Sequence, residues 1–116
     1  MTERTGDPFR DLADSSLNFL QRFGVDPADR SAIEDRIMIF EEEVRELTEA
    51  VREGTDLNHI GEEAADVIVT IITMCHSAGV DTEALIEQAY RVVAKNDAKT
   101  HETHIFKDGK IRRRKA

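Results

Sequence analysis

The chain has 116 residues and is read as a single domain over 1–116, long enough to bury one core without staples. Sixteen Lys and Arg against 24 Asp and Glu leave a net charge of −8. That balance argues against a body that grips nucleic acid or anionic lipid. A single cysteine, Cys75, excludes an intrachain disulfide and a cysteine-built zinc cage. The first residues, MTERTGDPFRD, carry acids where a secretory signal needs an apolar run. The longest stretch without a charged residue, Val67 to Val80, is 14 residues, too short to span a bilayer. A soluble, cytoplasmic protein with no membrane partner is expected.

In chain order, Asp7-Pro8 gives a cap-then-proline start to a first helix over about 8–23. A second helix is predicted over about 28–53, with Ser31-Ala-Ile-Glu34 as a capping box near its start. Gly54-Thr-Asp56 ends it and caps a third helix over about 57–77; Gly79-Val-Asp81 then opens a fourth over about 82–100. Ile105 to Ile111 reads as a hairpin around the Asp108-Gly109 turn, and the basic tail, about 112–116, is expected to fray.

Ile33, Ile37, Phe40, Val44, Leu47 and Val51 form a stripe of core positions along the second helix. The third helix is apolar on most of its circumference, through Val67, Ile68, Val69, Ile71, Ile72, Met74 and Cys75. A helix of that kind is buried between neighbours, more than small flanking helices supply. The expected fold is all-α: a four-helix core completed by oligomerisation, with a short C-terminal hairpin and a basic tail.

Charge is unevenly placed. Lys107 to the end carries a net +5, and Glu34 to Asp66 a net −9. Within the acidic stretch, Glu43 and Glu46 lie three apart on the second helix, as do Glu63 and Asp66 on the third. Residues three apart share a helix face, so two such pairs on packed antiparallel helices bring four carboxylates together. The strip begun by Glu63 and Asp66 continues with Thr70 and Thr73, whereas a solvated face carries charge along its whole length. Converging carboxylates need a positive charge between them. Hard oxygen ligands without His or Cys suit Mg²⁺ or Mn²⁺, whose remaining ligands commonly come from water and substrate phosphates. A polyphosphate substrate follows from the metal reading. Spacing alone leaves a solvated acidic surface standing beside it.

Glu42-Glu43-Val44-Arg45-Glu46, sixteen intervening residues and Glu63-Ala64-Ala65-Asp66 resemble the Glu-Glu-x-x-Glu … Glu-x-x-Asp signature of MazG-like pyrophosphohydrolases. These are all-α nucleoside triphosphate pyrophosphatases related to dimeric dUTPases, dCTP pyrophosphatases and phosphoribosyl-ATP pyrophosphatase. The likeness runs from about Phe19 to Ile111 and includes Lys95-Asn96-Asp97-Ala98-Lys99 and Asp108-Gly109-Lys110. It implies a homodimer or dimer of dimers that hydrolyses the α–β phosphoanhydride of (deoxy)nucleoside triphosphates, giving monophosphate and pyrophosphate. It also implies Mg²⁺ (or Mn²⁺) held by Glu43, Glu46, Glu63 and Asp66. Glu42 or Glu62 would orient the attacking water, and Asn96, Lys99 and Lys95 would hold phosphate or sugar.

The four histidines share no metal-ligand spacing on one helix and are read as surface or capping residues. Cys75 is read as a small core residue, and Phe19 or Phe23 as a candidate to stack on a base. Two rival functions remain: a dimeric helical module whose acidic face meets a basic protein, and a nucleic-acid binder acting through the basic tail.

Overall fold

The computed structural model describes residues 2–115, so Ala116 of the expected tail lies outside the described residues. Among these residues there are four α-helices and one two-stranded hairpin: α1 (Pro8–Arg22), α2 (Ile33–Glu53), α3 (Leu57–Ser77), α4 (Thr82–Asp97), β1 (His104–Lys107) and β2 (Lys110–Arg113). The chain divides into two compact units, the first ending at Thr82 and the second starting at Glu83.

In the first unit, the Asp7 carboxylate accepts from the Arg10 backbone N–H at 3.1 Å, and Pro8 occupies the first turn of α1. The start of α2 differs from expectation. Residues Arg30–Ala32 form a separate 3-10 turn, capped by Asp29 through the Ser31 backbone N–H and hydroxyl. Ser31 is therefore capped rather than capping, and α2 begins without a side-chain cap. With both donors held by the Asp29 carboxylate, Ser31 lies in the middle of the 3-10 turn, two residues ahead of the start of α2, rather than at a helix cap.

Gly54 ends α2 in the left-handed region at φ 67°, its N–H donating to Ala50 O. Asp56 caps α3 by accepting from the His59 N–H at 3.1 Å. Three residues thus separate two 21-residue helices that pack on each other, an αα-hairpin, with α1 also against α3. The predicted stripe of α2 is half-buried from Ile33 to Leu47, but Val51 is 54% exposed. On α3, Ile72 is fully buried and Ile68 is 40% exposed. Thr70 and Thr73 are buried, their hydroxyls donating back to Val67 O and Thr70 O.

In the second unit, α4 ends at Asp97, three residues short of the predicted end, and none of its residues is buried. Lys107 pairs with Lys110 across a two-residue loop in which Asp108 (φ 54°) and Gly109 (φ 76°) both have positive φ. That is the backbone a tight hairpin turn demands. The basic end is more ordered than expected. Strand β2 runs through Arg113, and Arg114 donates its backbone N–H to Thr103 O and its Nε to His101 O. Among the described residues, no single helix is long and apolar enough to cross a membrane.

Candidate metal centre

The αα-hairpin puts Glu43 of α2 beside Glu63 and Asp66 of α3. One carboxylate oxygen from each lies within 4.8 Å of the other two. Glu43 and Glu63 are half-buried and Asp66 is exposed. Burial raises the Glu43 carboxyl above the ordinary glutamate range, and the charges of Glu46, Asp66 and Glu63 add to it. Burial also raises Glu63, with Glu46 next; the His59 ring, 3.8 Å away, pulls in the other direction.

Glu43 Oε2 and Glu63 Oε2 are buried and have no hydrogen-bond donor. Ionised carboxylates cannot donate to one another. Proton uptake would let each share a hydrogen bond with Glu46, one reason both are pushed upward. A divalent cation answers the same two oxygens without protonation. The donor set is carboxylate oxygen throughout, which fits Mg²⁺ or Mn²⁺. Glu43, Glu63 and Asp66 can hold one such ion, with Glu46 alongside.

Other expected site residues fall elsewhere. Glu42 and Glu62 neighbour ligand positions in the chain and are both exposed. Lys95 and Asn96 are exposed and Lys99 is half-buried, all in the second unit. There Lys99 Nζ donates to Asn96 Oδ1 at 3.1 Å, and both residues line a cavity of about 640 Å³ against Phe106 and Ile111 of the hairpin. Burial pushes the Cys75 thiol up, so it is no ready nucleophile. Phe19 and Phe23 are 53% and 69% exposed, their rings 5.0 Å apart.

Two residues escaped the sequence reading. His59 touches Glu63 from one turn earlier on α3, a contact its four-residue spacing already signalled. Arg36 is half-buried with its Nε buried and lacking an acceptor. It stands seven residues before Glu43, on the same strip of α2.

Residues 19–92 match the sequence pattern of the phosphoribosyl-ATP pyrophosphohydrolase family, a stretch containing all of α2 and α3 and the four acidic positions. The chain belongs to this family. It is thereby one of the MazG-like all-α pyrophosphohydrolases, as the paired acidic motif implied. Membership implies hydrolysis of a pyrophosphate linkage in a nucleotide-like substrate. The match ends before Lys95, so it lends no support to the phosphate-holding residues of the second unit. Comparison with curated proteins and with solved structures gives no match.

Proposed function

We propose that this family member is a divalent-metal-dependent pyrophosphohydrolase. It cleaves the α–β phosphoanhydride of a (deoxy)nucleoside triphosphate, releasing nucleoside monophosphate and pyrophosphate. The observation that carries this reading is the pair of buried, donorless oxygens on Glu43 and Glu63, within reach of Asp66. Glu43, Glu46, Glu63 and Asp66 would hold Mg²⁺ or Mn²⁺, which supplies charge to neutralise phosphate oxygens and makes water more acidic. Glu42 or Glu62 orients the attacking water. Asn96, Lys99 and Lys95 hold phosphate or sugar; the Lys99 ammonium retains two donors beyond its bond to Asn96.

The working form is proposed to be a homodimer or dimer of dimers. Among the described residues only Ala13, Ala50 and Ile72 are buried apolar side chains. Meanwhile Met38, Ile68, Tyr90, Val92 and Val93 lie 40–69% exposed. So small a core is thin for a chain of this length.

Chromatography of ribo- and deoxynucleoside triphosphates, with Mg²⁺, Mn²⁺ or chelator, tests the reaction. Phosphoribosyl-ATP belongs in the panel because it carries the same linkage. Monophosphate and pyrophosphate, formed only with metal, are expected. Diphosphate and phosphate would reject the assigned bond, and no hydrolysis in any arm would favour a helical module whose acidic face binds a protein.

A further inference from the structure

The two units carry opposite charge. The first, through Thr82, has seven Lys and Arg against 19 Asp and Glu; the second has nine against five. Six of those nine lie between Lys107 and Lys115. They sit on an ordered ribbon and the residues that follow it. The strands pair Lys107 with Lys110 and Ile105 with Arg112, so these four side chains share one exposed face. Phe106 and Ile111 are paired on the opposite face and line the cavity with Asn96 and Lys99.

Like charges directly opposite each other destabilise a hairpin, and a two-stranded hairpin has little stability to lose. Yet no carboxylate pairs with any of the six cations among the described residues. Two of the guanidinium groups are also held in place. Arg112 Nε donates to Lys107 O at 3.1 Å and Arg114 Nε to His101 O at 2.7 Å, while their terminal nitrogens meet no acceptor among the described residues. A guanidinium anchored through Nε keeps its other N–H donors in a fixed fork. Around them runs a groove of about 550 Å³, lined also by Lys107, Arg113 and Lys115, with Asp108 as the acid in its lining.

We infer that this hairpin binds the phosphate backbone of a nucleic acid, without regard to base sequence. Arg and Lys contacts to phosphate hold a strand without reading its bases. From Lys110 to Arg113, β2 extends about 10 Å, a length that a row of phosphates spans and a single pyrophosphate does not. Lysine is depleted from protein interfaces, and Ile105 is the one apolar residue on the cationic face, so that face lacks the core such an interface needs. An anionic bilayer takes up apolar side chains beside the cations, whereas Phe106 and Ile111 lie on the other side of the ribbon. With a net charge of −8 the chain as a whole repels nucleic acid, so the contact is local, weak and sensitive to salt. The inference does not depend on the acidic cluster, whose residues belong to the first unit.

Fluorescence anisotropy tests it on the full chain, with labelled single-stranded RNA, single-stranded DNA and duplex DNA of about 20 nucleotides each. Affinity for a single strand should fall about 20- to 130-fold between about 50 and 200 mM salt, as three to five phosphate contacts require. Lys107→Gln combined with Lys110→Gln should weaken binding at low salt and lower the slope of log affinity against log salt by about 1.4. Because that variant also relieves the opposed lysines, its hairpin amide signals in NMR should persist to temperatures at least as high as the parent's. Arg112→Gln alone should lower the slope by about 0.7. Binding in any arm, lost in this way, supports the inference, and the tightest arm distinguishes RNA from DNA. No binding to any of the three at low salt overturns it, as do affinity and slope unchanged in both variants. Tripolyphosphate that displaces the oligonucleotide at equal phosphate concentration would make the groove a compact anion site and overturn it. Anionic vesicles bound in place of every oligonucleotide would do the same for a membrane. A salt-dependent sedimentation change lost in the double variant, with no oligonucleotide bound, would assign the hairpin to the acidic surface of a second copy and overturn the inference.

Discussion

Changing Asp66 to Asn keeps the shape of the side chain while removing one charge and one ligand. Its carboxylate lies within 4.8 Å of Glu43's. At that distance two unit charges repel by about 0.9 kcal/mol in a water-like medium and about 3.5 kcal/mol at an effective dielectric constant of 20. Asp66 is exposed, so the lower figure governs. For a domain of this size about 1 kcal/mol moves the melting temperature by roughly 4 °C. In chelator the variant should therefore melt at the parent's temperature or a few degrees above it. Magnesium reverses the order. At 100 times its dissociation constant a ligand stabilises the fold by about 2.7 kcal/mol, roughly 10 °C. If losing Asp66 weakens binding about 100-fold, the same concentration adds only about 0.4 kcal/mol, roughly 2 °C. Thermal melts of both proteins across a Mg²⁺ series, with turnover followed alongside, make the comparison. An Asp66→Asn protein that keeps the parent's full magnesium shift and its turnover would refute the metal centre.

The pH dependence of the metal-free protein gives a second test. Glu43 and Glu63 titrate above the ordinary 4.5 when folded. Their contribution to stability is thus full below 4.5 and is lost as pH rises through the raised values. Glu43→Gln should flatten part of that fall relative to the parent; superimposable melting-versus-pH curves in chelator would show that Glu43 is not strained. In the second unit, Asn96→Ala and Lys99→Ala should each impair turnover several-fold or more with the helical circular dichroism intact, and near-normal kinetics in both would remove them from the site. Sedimentation at micromolar concentration should show a dimer or larger species; a compact, stable monomer would contradict the proposed assembly.

Much of the fold is legible in the chain because it is written in local rules. The third helix has its predicted bounds, 57–77, since Asp56 caps one end and no competing side chain disturbs it. The hairpin turn is as local: Asp108-Gly109 tolerates positive φ at both central positions. The start of α2 differs because Ser31, bonded to Asp29 through both its N–H and its hydroxyl, sits inside a 3-10 turn ahead of the helix, a placement that residue types alone do not give. The order of the basic strand depended on bonds between residues 9–13 apart, such as Arg114 Nε to His101 O and the pairing of His104 with Arg113. Helical periodicity does not see these.

The site divides along the same line. Residue types and three-residue spacing determined which carboxylates share a face, and the motif they make sufficed to point to the family. Which of them converge is decided by how α2 and α3 pack. That packing brings Glu43, Glu63 and Asp66 within 4.8 Å, leaves Glu42 and Glu62 outside the triad, and buries one oxygen each of Glu43 and Glu63 without a donor. Arg36 shows the limit most plainly. In the sequence it is one of three bases in an acidic run, indistinguishable from Arg45 or Arg52. Whether the Nε of an arginine meets water or is buried without an acceptor, as in Arg36, depends on what packs over it, and that is a property of the tertiary structure.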